Sequence, residues 1–368
     1  MQKTRNSKVQ YFKAVGKLDF YIKHMNHKED TNISINASLE LNGGGRDVSL
    51  DSIKFILIIL VGLCHSLEPF RYSNYLVGSF YSVVYAFHMP LFVMLSGYFS
   101  KHVTLEKLKH GVPKLLETYI IMCLVAMVIL HYKYELKSPC MSEWYLLSLV
   151  FWRIGAGIVN RLKLRKAFVL IISFIAAFAA YVLLDSHSFT LSCMRTMLFL
   201  PYFFIGFFIT PDSILLIRKH KKIFVLVALF VIIALASVSI KYSRPIHVME
   251  FNSGGIDTVS KLFGHNYLLA ISGKIIFYVI GIILCFAFMS FEIKYSRIAK
   301  LGRYTLFLYC VQYYFIQIPE KMDLITSLWQ SIFLAALVFI IACSITKYKA
   351  IQNLISRPLS TLINKTIK

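Results

Sequence analysis

The sequence predicts an all-α, polytopic integral membrane protein with about ten transmembrane helices. Of its 368 residues, 57% are hydrophobic and only 16% are charged, whereas soluble domains run to about a quarter charged. Apolar runs long enough to cross a bilayer recur from about residue 52 to residue 344. Lys and Arg also alternate in density between successive loops. Together these exclude a disulfide scaffold, a disordered chain and a soluble enzyme with a single core.

Residues 1–50 read as a polar tail. They hold eight basic and five acidic residues, a polar stretch from Asn32 to Asn42 and the run Gly43-Gly44-Gly45. No apolar segment follows the basic start, so a cleavable signal peptide is not expected. The transmembrane domain, 51–345, then divides into spans at 52–68, 79–99, 115–131, 143–159, 166–184, 195–210, 223–240, 266–289, 304–319 and 326–344. Most are long enough to cross ~30 Å of hydrocarbon with some tilt. Glu117 and Gln312 interrupt the third and ninth. Charge clusters such as Asn160–Lys166 and Arg218–Lys222 separate the runs, and a basic tail, 346–368, closes the chain.

The formal charge of +22 would point to nucleic acid in a soluble protein. Here it has another source. The tails and the loops after the even-numbered spans, counting Lys166 at the head of the fifth span, carry 29 Lys and Arg, and the remaining loops carry 7. That bias is the positive-inside pattern, so both termini are expected in the cytoplasm and the expected partner is the lipid bilayer, not nucleic acid. Cys64, Cys123, Cys285, Cys310 and Cys343 fall within apolar runs as small hydrophobes. Cys140 and Cys193 flank short loops and could pair. No zinc-type Cys spacing occurs, and no metal is expected.

Ionisable groups inside a span need a partner, an aqueous cavity or a function. The first span carries Lys54 and His65, eleven residues apart. That is three helical turns plus about 20°, so they share a face with roughly 16 Å between them. Gly62, one turn before His65, leaves space on that face. His88 in the second span reaches nearly the same depth as His65, beside Pro90, which removes a backbone hydrogen bond. Arg153 is well inside its span, while Arg195, Lys274, Glu117 and Glu143 lie in or near theirs. His102, Glu106 and His110 follow i, i+4, i+8 spacing, but Lys101, Lys107 and Lys109 around them favour a solvated basic face over a metal site.

These residues also resemble a known family. Asp51-Ser-Ile-Lys54 leading to Gly62-Leu-Cys-His65, and Phe87-His-Met-Pro-Leu-Phe92 running into Ser96-Gly-Tyr-Phe-Ser-Lys101, resemble membrane-bound acyltransferase family 3. The pairing is most similar to the branch of fucose 4-O-acetylase and related acetyltransferases. Segments Trp144–Arg153, Arg195–Gly206 and Leu301–Tyr309 fit the same branch. The resemblance implies ten transmembrane helices and transfer of an acetyl group from acetyl-CoA to a carbohydrate hydroxyl. The family's first-helix motif is often Arg, ten residues, then His; Lys54 and His65 stand at those positions. Its C-terminal motif often ends in a His, where Gln312 stands nearby here.

These readings converge on a plasma-membrane O-acetyltransferase acting on a cell-surface or precursor carbohydrate. His65 is the expected general base. His88 either orients it or hydrogen-bonds the thioester oxygen. Lys54, Arg153 and Arg195 are the expected acetyl-CoA contacts, and Glu143 and Ser96 the expected acceptor contacts. Assembly as a homo-oligomer stays open. The competing expectation is a glycan or small-molecule transporter or flippase, whose midplane polar residues would line a path.

Overall fold

The computed structural model describes residues 47–130, 143–184, 190–241, 248–321 and 324–348, with no strand among them. Most of both tails, and Cys140 with its proposed pairing, lie outside the described residues. Ten long helices match the ten expected spans: α1 (Val48–Leu67), α2 (Tyr75–Tyr98), α3 (Leu105–Leu130), α4 (Trp144–Leu162), α5 (Lys166–Leu183) and α6 (Cys193–Phe208), then α8 (Lys221–Lys241), α11 (Tyr267–Met289), α13 (Thr305–Lys321) and α14 (Leu328–Ile345). Short helices α7 (Pro211–Lys219), α9 (Val248–Ser253), α10 (Ile256–Lys261) and α12 (Ser296–Gly302) connect them. They are too short for hydropathy to reveal.

Among the described residues, eight helices are long and apolar enough to cross a membrane. The protein is therefore an all-α, multi-pass membrane protein. The other two expected spans correspond to α4, which carries Arg153 and Arg161, and α13, whose apolar stretch is Thr305–Ile316. Helix α3 begins ten residues before its expected span, because its first turns are helical but polar and so invisible to an apolar count.

Helices α1 and α2 form the centre. In the apolar window of α2, 78% of residues are buried, against 11% for α8. Helix α8 is nonetheless the most apolar span, as expected where lipid rather than water surrounds the bundle. Helices α2 and α6 pack backbone against backbone. A Cβ on Gly97 would stand 1.9 Å from the Phe203 carbonyl oxygen, and one on Gly206 would stand 1.8 Å from that of Met94. Only glycine permits such backbone-to-backbone contact.

Capping fixes where the central helices begin. The Asp47 carboxylate accepts from the Ser49 and Leu50 amides at 2.8 and 3.2 Å, and Asn74 does the same for α2 from Leu76 and Val77. Each such cap is worth ~1 kcal/mol. Asp47 also pairs with Arg218 of α7 at 3.3 Å, which ties the start of α1 to the connection between α6 and α8. The two ends of α1 are called below the Asp47 end and the His65 end.

Candidate active site

Three helix termini converge on the middle of α2. His65 lies in the last turn of α1, Trp144 is the first residue of α4, and Arg195 lies in the first turn of α6. Between them is a cavity of about 70 Å³, room for a few waters or a small acyl group. Its lining includes Val61 and His65, then Tyr85, His88 and Met89 of α2, with Trp144, Arg195 and Phe199. Asn252 and Ser253 of α9 and Tyr309 of α13 complete it. The equal depth expected of the two histidines places both in this one cavity.

The local chain geometry serves Arg195. Leu191 and Ser192 enter α6 in the left-handed region, with φ of 52° and 56°, a conformation that costs a non-glycine residue about 1–2 kcal/mol. Helix α4 holds the turn that follows. Trp152 Nε1 donates to the Thr196 carbonyl at 2.9 Å, and the Ser148 and Thr196 hydroxyls lie 2.7 Å apart. The Arg195 guanidinium stands 5.5 Å from the Trp144 ring, and among the described residues no acidic side chain pairs with it. The N-termini of α4 and α6 add their positive dipole ends to the same cavity.

The two imidazoles are held differently. His88 Nδ1 is 2.8 Å from the Val84 carbonyl oxygen. A carbonyl can only accept, so Nδ1 carries the proton and the neutral ring presents Nε2 as an acceptor. The expected donation from His88 to a thioester oxygen is therefore not open to the neutral ring. His65 Nδ1 lies 3.7 Å from Glu68 Oε2, and its ring meets Tyr313 edge-on at 5.6 Å. Glu68 in turn binds Arg71 at 2.5 Å, and Arg71 reaches the Tyr81 hydroxyl at 3.0 Å. Sequence reasoning missed Glu68, although its place three residues after His65 was a usable signal. Asn252 offered none, since nothing local says that α9 reaches the cavity.

The other expected site residues lie elsewhere. Lys54 pairs with Asp51 at 2.6 Å and stands 4.3 Å from the centre of the Phe99 ring, toward the Asp47 end. Arg153 lies 3.7 Å from where a Cβ on Gly111 would stand, and its buried Nε has no hydrogen-bond partner. Ser96 and Glu143 do not line the cavity. Ser96 bonds the Phe92 carbonyl at 2.8 Å and the Tyr145 hydroxyl at 2.7 Å, and Glu143 accepts from the Tyr314 hydroxyl. Gly62 makes room for the Phe339 ring and Gln312 rather than for the imidazole. Among the described residues no three His, Cys, Asp or Glu side chains gather as a metal site.

The bundle thus gathers in one cavity two imidazoles and a guanidinium that has no acidic partner among the described residues. The family whose model describes an acyltransferase domain matches residues 47–349, so the chain belongs to that family. It is similar to nodulation protein NolL of Sinorhizobium fredii, 38% identical over 72 residues, which are 19% of this chain and 20% of that protein. It is also similar to nodulation protein NolL of Mesorhizobium japonicum, 40% identical over 65 residues, or 17% of each chain. The chain thus spans about a fifth of the length of these curated relatives. No solved structure matches it.

Proposed function

We propose that the protein transfers an acetyl group from cytosolic acetyl-CoA to a hydroxyl of a cell-surface or precursor carbohydrate. It would do so from the plasma membrane, with both termini in the cytoplasm. One observation carries this reading: His65, backed by Glu68, shares a small cavity with His88 and Arg195. A transporter needs no acyl donor and leaves membership of an acyltransferase family unexplained.

In this reading His65 takes the proton of the acceptor hydroxyl as its oxygen attacks the thioester carbonyl. Glu68 favours the imidazolium so formed. Negative charge then develops on the carbonyl oxygen. Arg195 and the N-termini of α4 and α6 supply the opposing positive potential, as an oxyanion site requires. Collapse breaks the carbon–sulfur bond, and the imidazolium returns its proton to the departing thiolate. His88 Nε2, an acceptor because Nδ1 is spent on the Val84 carbonyl, takes a hydrogen bond from a neighbouring hydroxyl of the acceptor and so helps to place the attacking one.

Lys54, about 16 Å back along α1 by helical rise, suits the phosphates or pantetheine arm of the donor, with Arg153. Lys keeps the charge of the family's Arg and loses its two-pronged geometry. Ser96 and Glu143, outside the cavity, are assigned to packing rather than to the acceptor. Mass spectrometry of cell-surface glycans with and without the protein tests the proposal. Acetyl increments that depend on the protein and vanish in His65→Gln are expected. Identical glycans in the presence of abundant protein would overturn it.

A further inference from the structure

Lys274 is a buried cation that the chemistry above does not use. It lies in α11 with 2% of its surface exposed. Its ammonium donates to the Phe251 carbonyl of α9 and sits 5.0 and 5.5 Å from the Tyr278 and Tyr181 rings. Among the described residues no carboxylate pairs with it. Taking an ammonium out of water is costly, and a carbonyl and two rings offset only part of that cost. A methionine would fill the same space without it. What the lysine adds is one directed bond to the α9 backbone.

That bond falls immediately before Asn252 and Ser253, which line the cavity. The Phe251 ring stacks on Phe277 at 5.3 Å and 18° and closes over Gly273, where a Cβ would stand 3.1 Å from it. From the other side, Asn252 Nδ2 donates to the Tyr85 carbonyl at 2.9 Å. Helix α9 is thus pinned between α11 and α2, with the Asn252 amide oxygen left to accept.

We infer that residues 251–253 are the acceptor-selecting wall of the cavity and that Lys274 is the positioning residue that sets them. The inference rests on the acetyl-transfer reading. The ligand is a hydroxyl-bearing acceptor, one hydroxyl of which donates to Asn252 while another is acetylated. Lys274 itself touches neither substrate.

The test compares Lys274→Met, similar in length and uncharged, with Lys274→Arg, which keeps a donor. Each full-length protein is read for acetyl-CoA affinity after purification and for acetyl increments on the glycans of expressing cells. In a Cys-depleted Ser253→Cys background, each is also read for the alkylation rate of Cys at that position. Lys274→Met is expected to bind acetyl-CoA within about threefold of wild type, lose at least tenfold in glycan acetylation and alkylate at least fivefold faster. Lys274→Arg should recover most of the acetylation. Undiminished acetylation in Lys274→Met, or parallel loss of donor binding, overturns the assignment. If Lys274→Met does not accumulate, Asn252→Ala, which removes the accepting amide oxygen from the wall, decides: lost acetylation with retained donor binding supports the assignment, and undiminished acetylation refutes it. A wild-type protein that neither binds acetyl-CoA nor acetylates glycans would defeat the acetyl-transfer reading instead, and the alkylation readout would stand apart from that failure.

Discussion

The two ends of α1 hold their polar groups in opposite ways. At the Asp47 end Lys54 and Arg218 have acids at hand: Lys54 has Asp51 at 2.6 Å, and Arg218 has Asp47 and Glu292 at 3.3 and 3.8 Å. At the His65 end Arg71 has Glu68 at 2.5 Å, but the groups that line the cavity have partners that fall short. His65 Nδ1 is 3.7 Å from Glu68 and has no hydrogen-bond partner, and Arg195 faces an aromatic ring rather than a carboxylate. Groups already satisfied in the resting protein gain little more when charge develops. Groups left incomplete gain most in the transition state. The contrast predicts that changes in the cavity move the rate, whereas changes at the Asp47 end move donor affinity.

The largest effect belongs to His65. His65→Gln keeps hydrogen bonding and loses basicity, so acetyl transfer should fall at least about 100-fold with acetyl-CoA binding nearly intact. Glu68→Gln should give an intermediate loss, since it removes the charge behind the ring but leaves the base. His88→Gln should keep more activity than His65→Gln, because accepting a hydrogen bond does not require basicity. Activity of purified His65→Gln above about a tenth of wild type would remove His65 from the base role.

Arg195 comes next and is the sharper probe of the comparison. If it stabilises the developing oxyanion, Arg195→Met should lower the limiting rate by about 10²–10³ at nearly constant donor affinity. Arg195→Lys should restore part of that loss. A fall in acetyl-CoA affinity at constant rate would instead return Arg195 to the donor's phosphates, the role its sequence context suggests, and would blur the line between the two ends.

The spans were readable because lipid imposes a simple condition, a sustained apolar run, on each crossing helix. The matched depth of His65 and His88 was readable for a related reason: rise per residue is constant within a helix, so depth can be counted along two successive spans. What Arg195 faces was not readable. That depends on where α4 and α6 begin and on the left-handed turn at Leu191 and Ser192, which is set by contacts from another helix. Gly62 shows the same limit. Its sequence position suggested space for the imidazole, while the packed bundle gives that space to Phe339 and Gln312. The Asp51–Lys54 pair, three residues apart, was local enough to anticipate.

At the Asp47 end, Lys54→Ala should weaken acetyl-CoA binding about tenfold, the worth of one charge-assisted bond of ~1.5 kcal/mol, and leave the limiting rate unchanged. Asp51 is buried, so removing Lys54 alone takes a charge partner from a buried carboxylate. The Asp51→Asn, Lys54→Ala double variant separates that stability cost from lost donor contact. Lys54→Arg should be tolerated or improved, because guanidinium pairs better with phosphate. Titration of acetyl-CoA against each purified variant gives the affinities. A lower rate at unchanged affinity would move Lys54 to the chemistry.

The smallest expected effect is a pH dependence of donor binding. Lys101 follows the end of α2, with its ammonium 3.9 Å from the centre of the Tyr98 ring. Asn160 fixes its turn by donating to the Lys101 and Val103 carbonyls at 2.9 and 3.0 Å. Burial pulls the Lys101 ammonium down to about 8. The side chain is therefore charged below that pH and neutral above it, while the phosphates of acetyl-CoA stay anionic throughout. If Lys101 adds to the attraction that draws the donor to this end, affinity should fall as pH rises from about 7 to about 9. The change should be about twofold to fivefold, the range for one partly exposed charge. Lys101→Met should bind with the weaker affinity throughout and show no such step, and Lys101→Arg should hold the stronger affinity across the window. A wild-type affinity that stays flat would leave donor capture to Lys54 and Arg153.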